Sequence, residues 1–194
     1  MPRAGLSEER VVEEAERLVD EVGLSQLTLG ALAERLNVRQ PSLYKHIAGM
    51  DGLKRSISIR AKREMTNVFA RAAIGKSQGD AIRAFSVAYR TWAREHPGRY
   101  EAAQRAPVLG DADDEAVSTD VVRIVFDVIG AYGLRDDDAV HAVRIVRSIL
   151  HGFVTLEAGG GFSLPTDITV SFSHLVVVIG TILSSWNEPT RKVR

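Results

Sequence analysis

The 194-residue sequence contains no cysteine. That excludes disulfide frameworks, thiolate catalysis and cysteine-based zinc sites, and it fits a reducing compartment. Long apolar runs are missing as well. No apolar stretch follows Met1-Pro2-Arg3, so no secretory signal is expected. The longest run, Leu175 to Ile179 extended to Leu183 through Gly180 and Thr181, falls far short of the roughly 20 residues that cross a bilayer. Neither an alternating strand pattern nor an internal repeat is present, which leaves an all-α fold. Net charge is zero, with 25 basic and 25 acidic side chains. At 45% hydrophobic residues the chain is too apolar to be disordered and long enough to bury a core without metal. The expectation is a soluble, cytoplasmic protein with no membrane partner.

Catalytic motifs are missing too. The five histidines, at 46, 96, 141, 151 and 174, form no His-Glu-x-x-His or other close ligand pair. There is no Gly-x-Ser-x-Gly elbow, Walker A loop or Gly-x-Gly-x-x-Gly, and Gly159-Gly160-Gly161 follows no strand. Asp136-Asp137-Asp138 reads as a helix cap. Glu157, on an otherwise apolar helix, either orients a ligand or is a solvated or paired carboxylate. The sequence thus predicts no enzyme, no metal and no cofactor.

Charge is unevenly placed. From Arg35 to Arg63 there are eight basic side chains (Arg35, Arg39, Lys45, Lys54, Arg55, Arg60, Lys62, Arg63) against the single acidic Asp51, a net +7. Such a stripe is either a solvated helix face or the footprint of a polyanion. The surrounding pattern decides between them.

Ser7 is placed to cap a first helix, Glu8 and Glu9 suit the positive end of its dipole, and Gly23 closes it. Its inward stripe is Val11, Ala15, Leu18 and Val22. Thr28 is a second cap, with Leu27 and Leu32 set as a hydrophobic staple. Leu29, Leu32, Ala33 and Leu36 face inward. Asn37 tolerates a left-handed backbone and ends that helix. Gln40-Pro41 then opens another short helix, with proline where its missing N–H costs nothing. Two short helices around a tight turn are the helix-turn-helix grammar. Leu43 and Ile47 pack inward, leaving Arg39, Gln40, Ser42, Tyr44, Lys45 and His46 outside, a set suited to base edges and phosphates.

Thr28 through Lys54 (TLGALAERLNVRQPSLYKHIAGMDGLK) resembles the DNA-binding domain of the tetracycline-repressor (TetR) family of bacterial transcription regulators. The matching features are Thr28, Leu32-Ala33, Val38, Pro41-Ser42-Leu43-Tyr44, His46 and Leu53. The resemblance implies phosphate contacts from Thr28 and Tyr44, and base contacts from Gln40, Ser42 and His46 with Arg39 from the turn. Pro41 and Lys45 complete the DNA-facing set. Met50 stands where family members usually carry a lysine, so Lys54 or Arg55 is the alternative phosphate contact. Gly30 replaces an arginine that touches a base in the tetracycline repressor itself. The operator therefore differs, and tetracycline is not implied as ligand.

Further helices are expected at 51–74, 80–95, 97–105, 114–131, 136–158 and, following Pro165-Thr166-Asp167, to about Trp186. The expected division is a DNA-binding domain over 1–50, a connector helix over 51–74, and a regulatory ligand-binding and dimerisation domain over 75–194. The last two helices are apolar around more than one face, which predicts burial against a second copy as well as against their own domain. The resemblance also implies homodimerisation through these helices. His151-Gly152-Phe153 and the residues after it resemble a regulatory-domain subtype with an aromatic-His-Gly element, with Leu150 in the aromatic's place. Inward aromatic side chains, namely Phe85, Tyr89, Trp92, Tyr100 and Phe126 with His151 and Phe153, predict a mostly apolar pocket for an unidentified small-molecule effector. The function expected is a ligand-responsive regulator, a repressor released from a palindromic operator. The alternatives are a DNA-binding protein of the same fold that senses nothing, and an all-α carrier or enzyme using the pocket alone.

Overall fold

A computed structural model describes residues 6–186. Eight α-helices and no strand occur among the described residues. They are α1 (Glu8–Val22), α2 (Leu29–Arg35), α3 (Gly49–Ala73), α4 (Gln78–Glu95), α5 (Pro97–Ala103), α6 (Ala112–Gly130), α7 (Asp136–Ala158) and α8 (Ile168–Ser184). Expected helix limits differ from these by a few residues at most, as fraying ends and alternative caps allow.

The start signals operate as read. Ser7 Oγ accepts from the Arg10 N–H at 3.2 Å, and Thr28 Oγ1 accepts from the Ala31 N–H at 3.1 Å. Gly23 closes α1 at φ +89°. Asn37 takes φ +52° at the end of α2, and the Val38 N–H returns to the Ala33 carbonyl at 3.0 Å.

The second short helix departs from expectation in its winding. Gln40–Lys45 is a 3-10 helix, closed by Ser42 N–H to Arg39 carbonyl at 2.9 Å and His46 N–H to Leu43 carbonyl at 2.8 Å. Six residues between a β-region Arg39 and the turn at His46 leave little room for i→i+4 bonds, and the tighter winding suits so short a piece. Leu43 and Ile47 still point inward, at 0% and 8% exposure.

Two compact units emerge. Among the described residues, the first holds those up to Met65 and 92–121, the second 66–91 and those from Val122 onward. Compactness thus divides the chain differently from the expected limits at 50 and 75, because α5 joins the core of the N-terminal helices. That core contains Val11, Ala15, Leu18, Leu32, Leu43, Leu53 and Ile57, and also Ala102 of α5.

In the second unit Phe69 meets Phe85 edge-on at 5.1 Å and stacks on Tyr89 at 5.4 Å. α7 buries Ala142, Val146, Leu150 and Phe153, and α8 buries Phe172, Val176, Ile179 and Leu183. By length and composition alone α7 would cross a bilayer, contrary to the run-based expectation. Its buried face and its bonded Glu157 suit a core helix equally. Glu157 is a paired carboxylate: Arg90 Nε and Nη2 donate to it at 2.8 and 2.6 Å. The Arg90 guanidinium also lies 4.8 Å from the Phe172 ring centre, a cation–π distance.

Candidate nucleic-acid interface

The interface is built around two anchors. Burying Leu43 is worth about 2 kcal/mol, and with Ile47 it fixes which side of the 3-10 helix faces the core. Arg39, Gln40, Pro41, Tyr44 and Lys45 stand exposed around them, and Ser42 and His46 are half-buried. Tyr44 is 57% exposed, although a tyrosine ordinarily buries its ring. The 3-10 winding brings residues three apart into line, so Tyr44 lies over Pro41 and Lys45 over Ser42. Thr28 is exposed at the start of α2. Its oxygen accepts the cap bond, which leaves the hydroxyl hydrogen to donate outward.

The basic stripe does not survive folding as a continuous positive face. Arg35 Nε donates to Glu14 at 2.7 Å and Nη2 to Glu21 at 3.0 Å. The bond from Arg35 holds the Glu21 carboxyl below its ordinary pKa. Arg60 Nε donates to Glu16 at 2.9 Å. Lys62 is buried, with Nζ donating to Asp114 at 2.7 Å and Ser118 at 2.9 Å. Arg55 Nη2 donates to Asp111 at 2.6 Å, while its Nε reaches the other oxygen of the same carboxylate. Arg39, Lys45, Lys54 and Arg63 enter no ion pair among the described residues. Arg63 lies nine residues beyond Lys54, roughly 13 Å along α3. The local positive charge is therefore Arg39, Lys45 and Lys54. Of the two alternatives for the position vacated at Met50, Arg55 is engaged and Lys54 is not.

The residues expected to line a ligand pocket divide between the two units. Trp92 and Tyr100 belong to the first unit, with ring centres 6.5 Å apart. Phe85 and Tyr89 pack on Phe69 in the second. Phe153 meets Phe162 at 5.0 Å and Phe172 at 5.2 Å. Phe126 and His151 are half-buried. Burial, and Arg147 nearby, lower the His151 pKa. Two buried donors in the first unit, Trp92 Nε1 and Ser58 Oγ, meet no hydrogen-bond partner among the described residues.

The cleft of about 510 Å³ in the second unit is lined by other residues, among them Gln78, Arg83, Tyr132, Gly180, Thr181 and Ser184. Sequence reasoning passed over them while following aromatics. The available signal was the small and hydroxylated stripe Gly180-Thr181-Ser184-Ser185, at helical spacing on an otherwise apolar helix.

Comparison with known proteins agrees with this geometry. Residues 82–179 match the family model described as the tetracyclin repressor-like C-terminal domain. The HTH-type transcriptional regulator Rv0681 of Mycobacterium tuberculosis is 37% identical over 158 residues, 81% of this chain and 72% of its own. The HTH-type transcriptional regulator YobS of Bacillus subtilis is 32% identical over 189 residues, 96% of this chain and 98% of its own. In fold, the chain resembles a possible TetR family transcriptional regulator from Streptomyces coelicolor, with a TM-score of 0.71 at 17% identity over 93% of this chain and all of that one. These relatives are regulators rather than enzymes. The chain belongs to the tetracycline-repressor family of helix-turn-helix, DNA-binding transcriptional regulators.

Proposed function

We propose that this regulator is a ligand-responsive repressor that binds a palindromic operator as a homodimer in the cytoplasm. The observation that carries the reading is the 3-10 helix, anchored by Leu43 and Ile47, which displays Arg39, Gln40, Tyr44 and Lys45 around buried neighbours. In this reading Gln40, Ser42 and His46 face base edges, Gln40 suiting adenine and Arg39 suiting guanine or a phosphate. Thr28, Tyr44 and Lys54 grip phosphates, Lys54 in place of the lysine missing at Met50.

Support for a second copy comes from α7 and α8. Val170, Val177 and Val178 of α8 are about half exposed, as is Leu156 of α7, on helices whose other faces are buried in their own unit. Two copies would set the recognition helices about 34–36 Å apart, one turn of duplex. Support for an effector comes from the orphaned Trp92 Nε1 and Ser58 Oγ, since buried donors without partners are rare in a finished core. An effector with hydrogen-bond acceptors would satisfy them. Ligand and operator would then oppose each other by roughly 1–3 kcal/mol, in both directions.

Selection of genomic fragments with purified protein tests the reading. Recovery of one palindromic sequence, bound by a dimer, is the expected result, and adjacent genes then suggest effectors to titrate. Recovery of no preferred sequence would sink the operator. A cognate effector that leaves operator affinity unchanged would sink the induction.

A further inference from the structure

The arginine that follows Lys54 is held away from solvent anions by carboxylates from a distant segment. Arg55 presents its guanidinium fork to Asp111, with Nη2 donating at 2.6 Å and Nε to the second oxygen. Asp113 stands 3.5 Å from the same Nη2. Both carboxylates lie 56 and 58 residues away in sequence, at the start of α6.

We propose that Asp111 and Asp113 form a latch on Arg55, and that opening it gives the DNA-reading surface one more phosphate contact beside Lys54. This deepens the function proposed above and rests on it.

Three comparisons single out this pair. Lys62, two turns further along α3, is matched to Asp114 with side chains 5% and 1% exposed, too desolvated to be exchanged for an outside anion. Arg55 retains 37% exposure and Asp111 16%, so a phosphate reaches the guanidinium from solvent. Arg35 and Arg60 are as exposed, but Arg35 ends α2 and Arg60 lies a turn and a half beyond Arg55. Arg55 alone adjoins Lys54.

Exchange of partners is chemically even. A carboxylate and a phosphate both accept the planar fork in the same bidentate way. The loop that leads into the restraining segment is exposed, while Asp114 holds the first turn of α6 in place through Lys62. Leu109 is 96% exposed, and the backbone around it is held by Val108 N–H to Asp114 at 3.2 Å and Gly110 N–H to Glu115 at 2.9 Å. Arg55 holds the Asp111 carboxyl down to a pKa of about 2, so protonation does not open the latch at physiological pH. A competing phosphate does.

The test needs no operator. Binding of the full-length protein to a random-sequence 30-bp duplex is measured against salt for wild type, Asp111→Asn/Asp113→Asn, Arg55→Ala and the triple variant. The double variant should bind tighter, with a log K against log salt slope steeper by about 0.9, one added phosphate contact. Arg55→Ala alone should change little, and the triple variant should lose the gain. A gain that persists without Arg55 would reflect only two fewer negative charges and overturns the latch, as does an unchanged slope. Asparagine retains the acceptor for the Asp114 N–H, now 3.3 Å from Asp111 Oδ1. If melting shows the double variant unfolded, Asp111→Ser with Asp113→Asn poses the same question. Wild type that binds no duplex at low salt refutes DNA binding itself, whereas wild type that binds with no response to the variants refutes the latch alone.

Discussion

Gly98 lies against the backbone of Val19: a Cβ built on the glycine would overlap the valine carbonyl and stand 2.8 Å from the valine Cβ. α5 therefore rests on the last turns of α1 at a distance only glycine permits. Beside it Arg99 donates from its backbone N–H to Asp20 at 2.9 Å, from Nε to Asp20 at 2.6 Å and from Nη1 to Glu64 at 2.6 Å. Gly98 packing and Arg99 bonding together place α5 in the same compact unit as the helix-turn-helix.

Gly98→Ala should destabilise the protein by about 3 kcal/mol, because the obstacle is backbone rather than a side chain that rotates away. Gly30→Ala is the control. Its Cβ would meet nothing nearer than Thr28 Oγ1 at 3.9 Å, and alanine in a helix should add up to about 1 kcal/mol. Urea unfolding midpoints report both. Equal midpoints for the two variants would contradict the packing described.

Lys62 and Asp114 present the reverse case, a charge pair taken wholly out of water. Asp114→Ala strands the lysine and should cost about 3–5 kcal/mol. Replacing both partners, Lys62→Met with Asp114→Leu, should recover most of that loss, since a buried pair often holds a fold no better than a well-packed apolar one. Denaturant unfolding of the three proteins measures this. A double variant as weak as the single one would show that the other bonds of these two side chains, to Ser118 and from the Val108 N–H among them, carry more of the energy than the pair itself.

What was legible in the sequence was local. Ser7, Thr28, Asn37 and Pro41 act within three or four residues, and each does what its chemistry prescribes. Most of the inward stripes were legible for the same reason, since Leu43 and Ile47 differ from their neighbours by helical spacing alone, but Val22, the last residue of α1, is 46% exposed rather than inward. The 3-10 winding of 40–45 was not, because sequence spacing hardly distinguishes the two windings over six residues. Nor was the disposal of the basic stripe. Arg55 meets Asp111 across 56 residues and Lys62 meets Asp114 across 52, and no periodicity joins such partners. Nor does spacing assign the aromatics to a compact unit: Trp92 belongs to the first and Phe153 to the second.

Val178 bears on assembly. It is 52% exposed in one copy, so a glutamate there would cost a monomer almost nothing. In a seam between two α8 helices the same charge is buried and unpaired, at several kcal/mol. Light scattering at micromolar concentration should show a dimer for wild type and a monomer or aggregate for Val178→Glu. A monomeric wild type would remove the proposed seam.

Gln40 and Tyr44 separate reading from gripping. A glutamine amide offers a donor and an acceptor together, the pattern that adenine presents in the major groove. Gln40→Ala should therefore cost about 1–3 kcal/mol on the operator and little on a scrambled duplex, relaxing one position in each half-site. Tyr44 differs because its hydroxyl, carried on a half-exposed ring beside buried Leu43, is read as a phosphate donor. Phosphates carry no base identity, so Tyr44→Phe should weaken both duplexes alike. Filter binding of the two variants to both duplexes decides. Equal losses for Gln40→Ala on operator and scramble would mean that the 3-10 winding turns Gln40 toward the backbone. The base-reading edge would then be the line of Ser42 and Lys45.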